Sequence, residues 1–315
     1  PMGPKVLVTP RSFGKISAAP VDMLKASGFE VVLNPHGRIL TKDEMRRQIR
    51  DADAVIVGVD PLDREVLKEA GKLKIIAKYG VGTDNIDTEY AAERGIPVMT
   101  SAGANTEAVA DYAFALMLAA ARRVVNIDAA CRLGDWTKPT TVDVYGRTLG
   151  LVGLGHIGKA VARRAAGFGM NVLAYDDRRD EAFAAEHGVT YAASLDALLA
   201  ESDFVSLHVP LMPSTRHMIG GRELALMKPA AVLVNTARGG LIDERALYEA
   251  LRNGRIWGAG IDVFEQEPPD NTEMLSLDNI VIGSHCAAST VNAVDNMGVM
   301  ASEHVIQFLS GGISR

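Results

Sequence analysis

TLGLVGLGHIGKA, residues 148–160, runs from an apolar strand through three glycines into a helix. GxGxxG alone marks many tight turns that hold no ligand, so its surroundings decide the reading. Here TLGLVGL leads into Gly153, Gly155 and Gly158, and the helical stretch KAVARRAAGFG follows. The next strand, NVLAYD, ends on Asp176, about 20 residues further on, where a ribose-binding carboxylate belongs. Gly153 permits the turn, Gly155 lets backbone N–H groups approach a pyrophosphate, and Gly158 lets helix and strand pack closely. The helix N-terminus presents partial positive charge to the phosphates. Asp176 accepts hydrogen bonds from the adenosine ribose and repels a 2′-phosphate, which favours NAD; Arg178 and Arg179 beside it keep NADP open.

Outward from this turn the chain alternates short β-branched runs with helical stretches, the pattern of parallel sheets with crossover helices. Five runs precede it: KVLVT (5–9), EVVLN (30–34), AVIVGV (54–59), LKIIAKYG (73–80) and PVMTS (97–101). A long Ala-rich helix is expected over 106–125, followed by a polar, turn-rich stretch. From 148 a six-strand series follows: TLGLVGL, NVLAYD, FVSLHV (204–209), AVLVNT (231–236), GAGIDVF (258–264) and NIVIGSH (279–285). The amphipathic AVDNMGVMASEHVIQFL (293–309) is too short for a domain and is expected to pack on the first series.

The 315 residues suggest about two domains. They are 48% hydrophobic and 23% charged, with a formal net charge of −6. That balance gives no footprint for nucleic acid. The most apolar run, AFALMLAAA (113–121), is shorter than a membrane span and is closed by Arg122 and Arg123. Cys131 and Cys286 make no disulfide framework, and the first strand starts at Lys5, so a cytoplasmic protein is expected. No metal site is expected.

Ligands of open parallel sheets bind beyond the C-terminal ends of the strands. Arg238, Asp262, Glu265, Glu267 and His285 all fall at such ends. A guanidinium forks onto a carboxylate and polarises the neighbouring carbonyl. An imidazole delivers the proton that the carbonyl oxygen needs as hydride reaches carbon. A carboxylate beside it stabilises the imidazolium. These are the groups that hydride transfer to a 2-oxo acid requires. Spacing alone does not separate Glu265 from Glu267.

With KYGVGTDNID (78–87), NTEAVAD (105–111), GLVGLGHIG (150–158), HVPLMPSTRHMI (208–219), NTARGGLID (235–243), GIDVFEQEPP (260–269) and GSHCAAST (283–290), the chain resembles the D-isomer-specific 2-hydroxyacid dehydrogenases. The resemblance spans nearly the whole chain. It implies an α/β protein with a Rossmann NAD-binding domain (103–288) inserted in a flavodoxin-like substrate domain (1–102 and 289–315). It implies Arg238, Glu267 and His285 as the catalytic set, selecting Glu267 because it directly precedes the proline. Substrate contacts are implied at Gly80, Val81, Gly82 and Arg238, with Lys78 as a candidate for a second anionic group. Cofactor contacts are implied at Thr106, Gly153, Gly155, His156, Ile157, Gly158, Asp176, Val209, Pro210, Thr215, Thr236, Ala237 and Asp262, the last toward the nicotinamide carboxamide. His208 and His217 are expected to be packing or rim residues.

The implied activity is NAD(H)-dependent interconversion of a small D-2-hydroxy acid and its 2-oxo acid. Glyoxylate or hydroxypyruvate is placed ahead of 3-phosphoglycerate, because VGVDPLD (57–63) lacks an arginine. A homodimer is expected, with the stretch around Trp136 as its interface. Two other readings remain: a non-enzymatic nucleotide-sensing regulator on the same fold, and formate- or phosphite-type oxidation. The Glu267–His285 pair disfavours the formate branch, whose members carry Gln there. Ala287 and Trp257 depart from the family's usual small-residue pattern, Ala287 replacing a glycine and Trp257 a small side chain.

Overall fold

The computed structural model describes residues 3–311, which fall into two compact units. One runs up to Asn105 and resumes at Ser289; the other is Thr106–Ala288. In the first, β1 (Lys5–Val8), α1 (Ala19–Ala26), β2 (Glu30–Leu33), α2 (Lys42–Gln48), β3 (Ala54–Val57), α3 (Arg64–Glu69), β4 (Ile75–Lys78), α4 (Thr88–Glu93) and β5 (Val98–Met99) alternate. All strand pairs are parallel, in the order β2-β1-β3-β4-β5. Period-two alternation sends Val6, Val8, Ala54, Ile56, Ile75 and Ala77 into one core, and Leu7, Val55, Val57 and Ile76 into another. Both faces of the sheet are therefore covered, as a parallel sheet requires.

The second unit opens with α5 (Thr106–Arg122) and α6 (Val124–Arg132). There follow β6 (Thr148–Val152), α7 (His156–Gly167), β7 (Asn171–Tyr175), α8 (Glu181–His187), β8 (Val189–Tyr191), α9 (Leu195–Glu201) and β9 (Phe204–Leu207). Then come α10 (Gly221–Leu226), β10 (Val232–Asn235), α11 (Glu244–Arg252), β11 (Gly258–Ile261), α12 (Thr272–Leu275) and β12 (Ile280–Ile282). The sheet is parallel in the order β12-β11-β10-β9-β6-β7-β8. Sheet growth reverses between β6 and β9, the switch point at which such sheets bind ligands. The glycine turn sits at the end of β6.

Finally α13 (Val291–Leu309) returns to the first unit, as its amphipathic pattern predicts. Ala301 and Val305 join the core beside β3 and β4, and Ser302 Oγ donates to Pro20 O at 3.1 Å. Among the described residues no helix is long and apolar enough to cross a membrane.

Three expectations are corrected. The second sheet has seven strands, because β8 is a three-residue edge strand too short to show a period. The Ala-rich helix does not run to 125 but breaks at Arg123, which adopts φ 53. There the Arg123 guanidinium lies 4.2 Å from the Trp257 ring and donates to Trp257 O at 2.5 Å. The Trp257 indole N–H in turn reaches the carbonyls of Ala120 and Ala121, capping the end of α5. Lastly, most strands stop short of their apolar runs: Asp176, Thr236, Asp262 and His285 turn out of the sheet into loops.

Helix and strand approach closely at Gly158. A Cβ there would lie 2.3 Å from Gly153 O. We expect Gly158→Ala to lower unfolding stability by about 1–3 kcal/mol, the usual cost of overpacking. Urea denaturation checks this; an unchanged midpoint would show that the turn yields freely.

Candidate active site

The turn after β6 has the form its sequence dictates. Gly153 takes φ +98, a conformation L side chains avoid, and a Cβ on it would strike His208 O at 2.3 Å. Gly155 is different: a Cβ there meets nothing within 4 Å. As the N-cap of α7 it carries no side-chain cap, so the first N–H groups of that helix lack a side-chain acceptor. His156 beside it is exposed and Ile157 half-buried. Asp176 reaches back to this loop, its carboxylate accepting from the backbone N–H of Leu154 at 2.8 Å and of Arg178 at 2.9 Å. Arg179 lies over the Tyr191 ring at 4.9 Å.

At the end of β10, the Asn235 side chain donates to Arg238 O at 2.9 Å and accepts from Ala237 N at 3.0 Å. That amide folds residues 236–238 into a turn and presents the half-buried Arg238. Within it Thr236 is 7% exposed and its Oγ1 has no partner among the described residues. A buried hydroxyl is seldom left unsatisfied in a native fold. Val209 is half-buried and Pro210 exposed. Thr215 spends its hydroxyl within its own loop, donating to Pro210 O and accepting from Met212 N at 2.8 Å each. Thr106 is the first residue of α5.

Asp262, one residue beyond β11, is fully buried. Its two carboxylate oxygens accept from Cys286 N and Ala287 N at 3.0 Å each, and its backbone carbonyl accepts from His285 N at 2.8 Å. Three successive amides are thus gathered on one residue, which holds His285 at φ 60. Sequence reasoning misses this anchoring: apart from the Cys286 thiol, which reaches Asp262 Oδ1 at 3.6 Å, the contacts are to backbone amides, and no side-chain motif announces them.

Arg238, Glu267 and His285 do converge. His285 Nδ1 and Glu267 Oε2 are 2.7 Å apart, and Glu267 Oε1 accepts from Phe264 N at 3.0 Å. Burial alone would lift the Glu267 carboxyl. The hydrogen bonds from His285 and Phe264, with the charges of His285 and Arg238, outweigh burial and hold it below the usual carboxylate range. With Nδ1 engaged by Glu267, the Nε2 of His285 is left for proton exchange.

In the first unit, Gly80 takes φ +127, which turns Val81 outward to 46% exposure. Lys78 lies beneath, 5% exposed, its ammonium donating to Gly58 O at 2.5 Å and Asn85 Oδ1 at 3.0 Å. It supports the loops above β3 and β4 and presents no open cationic surface.

The open space at Gly155, the uncapped α7 terminus and the orphaned Thr236 hydroxyl are compatible with a bound dinucleotide. Residues 114–287 match the family model "D-isomer specific 2-hydroxyacid dehydrogenase, NAD binding domain". The chain is 50% identical over 281 residues to a glyoxylate reductase of Korarchaeum cryptofilum, covering 87% of this chain and 84% of that one. To a D-3-phosphoglycerate dehydrogenase of Methanocaldococcus jannaschii it is 44% identical, over 87% of this chain and 53% of the relative. A solved D-lactate dehydrogenase from Aquifex aeolicus, complexed with NAD and lactic acid, aligns with a TM-score of 0.85 at 31% identity, covering 98% of this chain and 96% of that one.

His208, whose carbonyl faces Gly153, pairs its Nε2 with Ser206 Oγ at 2.8 Å. Burial pushes its imidazole from 6.5 down to about 4. Between those values the unfolded chain binds a proton that the folded one refuses, so stability falls as pH drops from 6.5 toward 4. His208→Gln is expected to flatten that slope in urea midpoints at pH 5 and 7; an unaltered slope would remove the assignment.

Proposed function

The chain belongs to the D-isomer-specific 2-hydroxyacid dehydrogenase family, and on that premise we propose that it reduces a small 2-oxo acid of the glyoxylate or hydroxypyruvate type, with His285 as acid–base. NADH, when bound, supplies the hydride. The Arg238 guanidinium grips the substrate carboxylate in a two-point fork and polarises the adjacent carbonyl. As hydride arrives at carbon, the oxygen gains negative charge and takes the proton from His285 Nε2. Glu267, ionised and bonded to Nδ1, favours the imidazolium beforehand and fixes the ring's orientation. The reverse oxidation uses the same imidazole, deprotonated, as base. Backbone N–H groups of Gly80, Val81 and Gly82 are proposed as further donors to the carboxylate.

The 2.7 Å Glu267–His285 contact, with Arg238 close enough to act on the same carboxyl, carries this reading. The buried, internally bonded Lys78 ammonium supports a substrate without a second anionic group and so favours glyoxylate or hydroxypyruvate over 3-phosphoglycerate. Asp176 supports NAD over NADP. The exposed Val124, Val125, Leu133, Trp136 and Tyr145 support a homodimer through the cofactor unit.

His285→Ala is expected to cut turnover by roughly 10²–10⁴-fold with NADH affinity unchanged, measured by NADH oxidation and fluorescence titration against a panel of 2-oxo acids. A parallel loss of NADH affinity would reject the proton-transfer role. Asp176→Ala is expected to raise kcat/KM with NADPH relative to NADH; a constant ratio would reject its part in selection.

A further inference from the structure

Phe264-Glu265-Gln266-Glu267 carries two carboxylates that go separate ways. Phe264 N closes the turn onto Glu267, which faces His285. Glu265 Oε1 instead meets the imidazole Nε2 of His217. His217 belongs to the loop after β9 and is held in the left-handed region at φ 51. Its backbone N–H donates to Gly240 O at 2.7 Å, and Ile219 N to Leu241 O at 3.1 Å, so its loop runs alongside the one that follows Arg238. One residue thus grips the Arg238 loop through its backbone and the Glu267 loop through its side chain. The two gripped loops also touch, since a Cβ on Gly239 would lie 1.9 Å from Phe264 O.

Other charges surround the pair. Glu244, at the start of α11, accepts from Glu265 N at 3.3 Å. Burial lifts the Glu244 carboxyl above its usual range; the charges of Glu265 and Asp270 add to the lift and His217 opposes it. Glu265 and Glu244 therefore both bear on the imidazole of His217, with Asp270 acting on Glu244, while Arg216 adjoins it in sequence and approaches Gly240. A half-exposed contact of imidazole with carboxyl contributes little to overall stability. Displacing catalytic groups by about 1 Å, however, costs up to about 10²-fold in rate.

We propose that His217 and Glu265 form a second imidazole–carboxylate pair that acts as a latch, setting the position of Glu267 relative to Arg238 and hence the Glu267–His285 contact. They are positioning residues and touch no reacting atom. The inference rests on the assignment of Arg238, Glu267 and His285 made above, and it explains why the same turn carries two glutamates.

The test is Glu265→Ala, which leaves the backbone at His217 and both members of the Glu267–His285 pair intact, with His217→Ala and His217→Gln beside it. The downfield proton resonance of a carboxylate-bound imidazole N–H, assigned to His285 by its absence in His285→Ala, reports the pair without any turnover. In Glu265→Ala and His217→Ala that resonance is expected to broaden or vanish. kcat is expected to fall about tenfold with NADH affinity within twofold of the parent, and the double variant to fall no further, as coupled residues do. His217→Gln, which keeps a donor toward Glu265, is expected to restore most of kcat. A His285 resonance and kcat unchanged in Glu265→Ala would overturn the latch. If the resonance depends on Glu265 while the parent protein reduces no 2-oxo acid, the latch stands and the substrate reading falls.

Discussion

The buried carboxylate of Asp262 is the constraint on which the site depends. A fully buried polar group must have its hydrogen bonds made inside the protein, and this one is met by the backbone amides of Cys286 and Ala287. Because its own carbonyl also takes the His285 amide, the chain beyond β12 has almost no freedom where the imidazole emerges. His285 accepts a left-handed backbone, a cost of order 1–3 kcal/mol for a side-chain-bearing residue, because the surrounding hydrogen bonds over-determine it. Strand pairing of β11 with β10 and β12 fixes the anchor itself.

Around that anchor the parallel sheet does the gathering. Arg238, Glu267 and His285 leave β10, β11 and β12, three adjacent strands running the same way, so their loops emerge at one edge. The glycine turn lies at the same edge, at the switch point between β6 and β9. Residues far apart in sequence meet because parallel pairing aligns strand ends, and no long-range motif is needed to bring them together. Local devices then set each side chain: the Asn235 amide for Arg238, the Phe264 amide for Glu267, the Asp262 carboxylate for His285.

Much of this is legible in the residues. Period-two runs mark the strands, and the strand–glycine–helix context marks the cofactor turn. The three titratable groups stand at strand ends, which is where parallel topology makes chemistry possible. What the residues do not disclose has physical reasons. β8 is three residues at a sheet edge, with no pattern long enough to detect. The break at Arg123 depends on Trp257, more than a hundred positions away. The anchoring by Asp262 is made to backbone amides, which carry no sequence signature. Lys78 reads as a candidate for an anionic group or a solvated charge, yet it is buried and its Nζ donates to Gly58 O and Asn85 Oδ1 inside the first unit. Glu265 and Glu267 look equivalent in sequence; only the turn geometry sends them to different imidazoles.

That divergence bears on how a half-exposed pair is made to function. The Glu267 carboxyl is caught between opposing influences: partial burial resists its charge, while two hydrogen bonds and two cationic neighbours favour it. Were burial to prevail, a neutral acid would face His285 and the imidazolium would lose its stabilising partner. The charge-favouring contributions come from three loops, those of Phe264, Arg238 and His285, so the outcome depends on their relative placement. Coulombic contributions fall with distance, and hydrogen bonds weaken steeply with misalignment. Holding the loops together is therefore an electrostatic requirement of the site as well as a mechanical one. A contact that adds little to folding stability, such as that of His217 with Glu265, still has leverage over chemistry by setting how near those charges lie to one carboxylate.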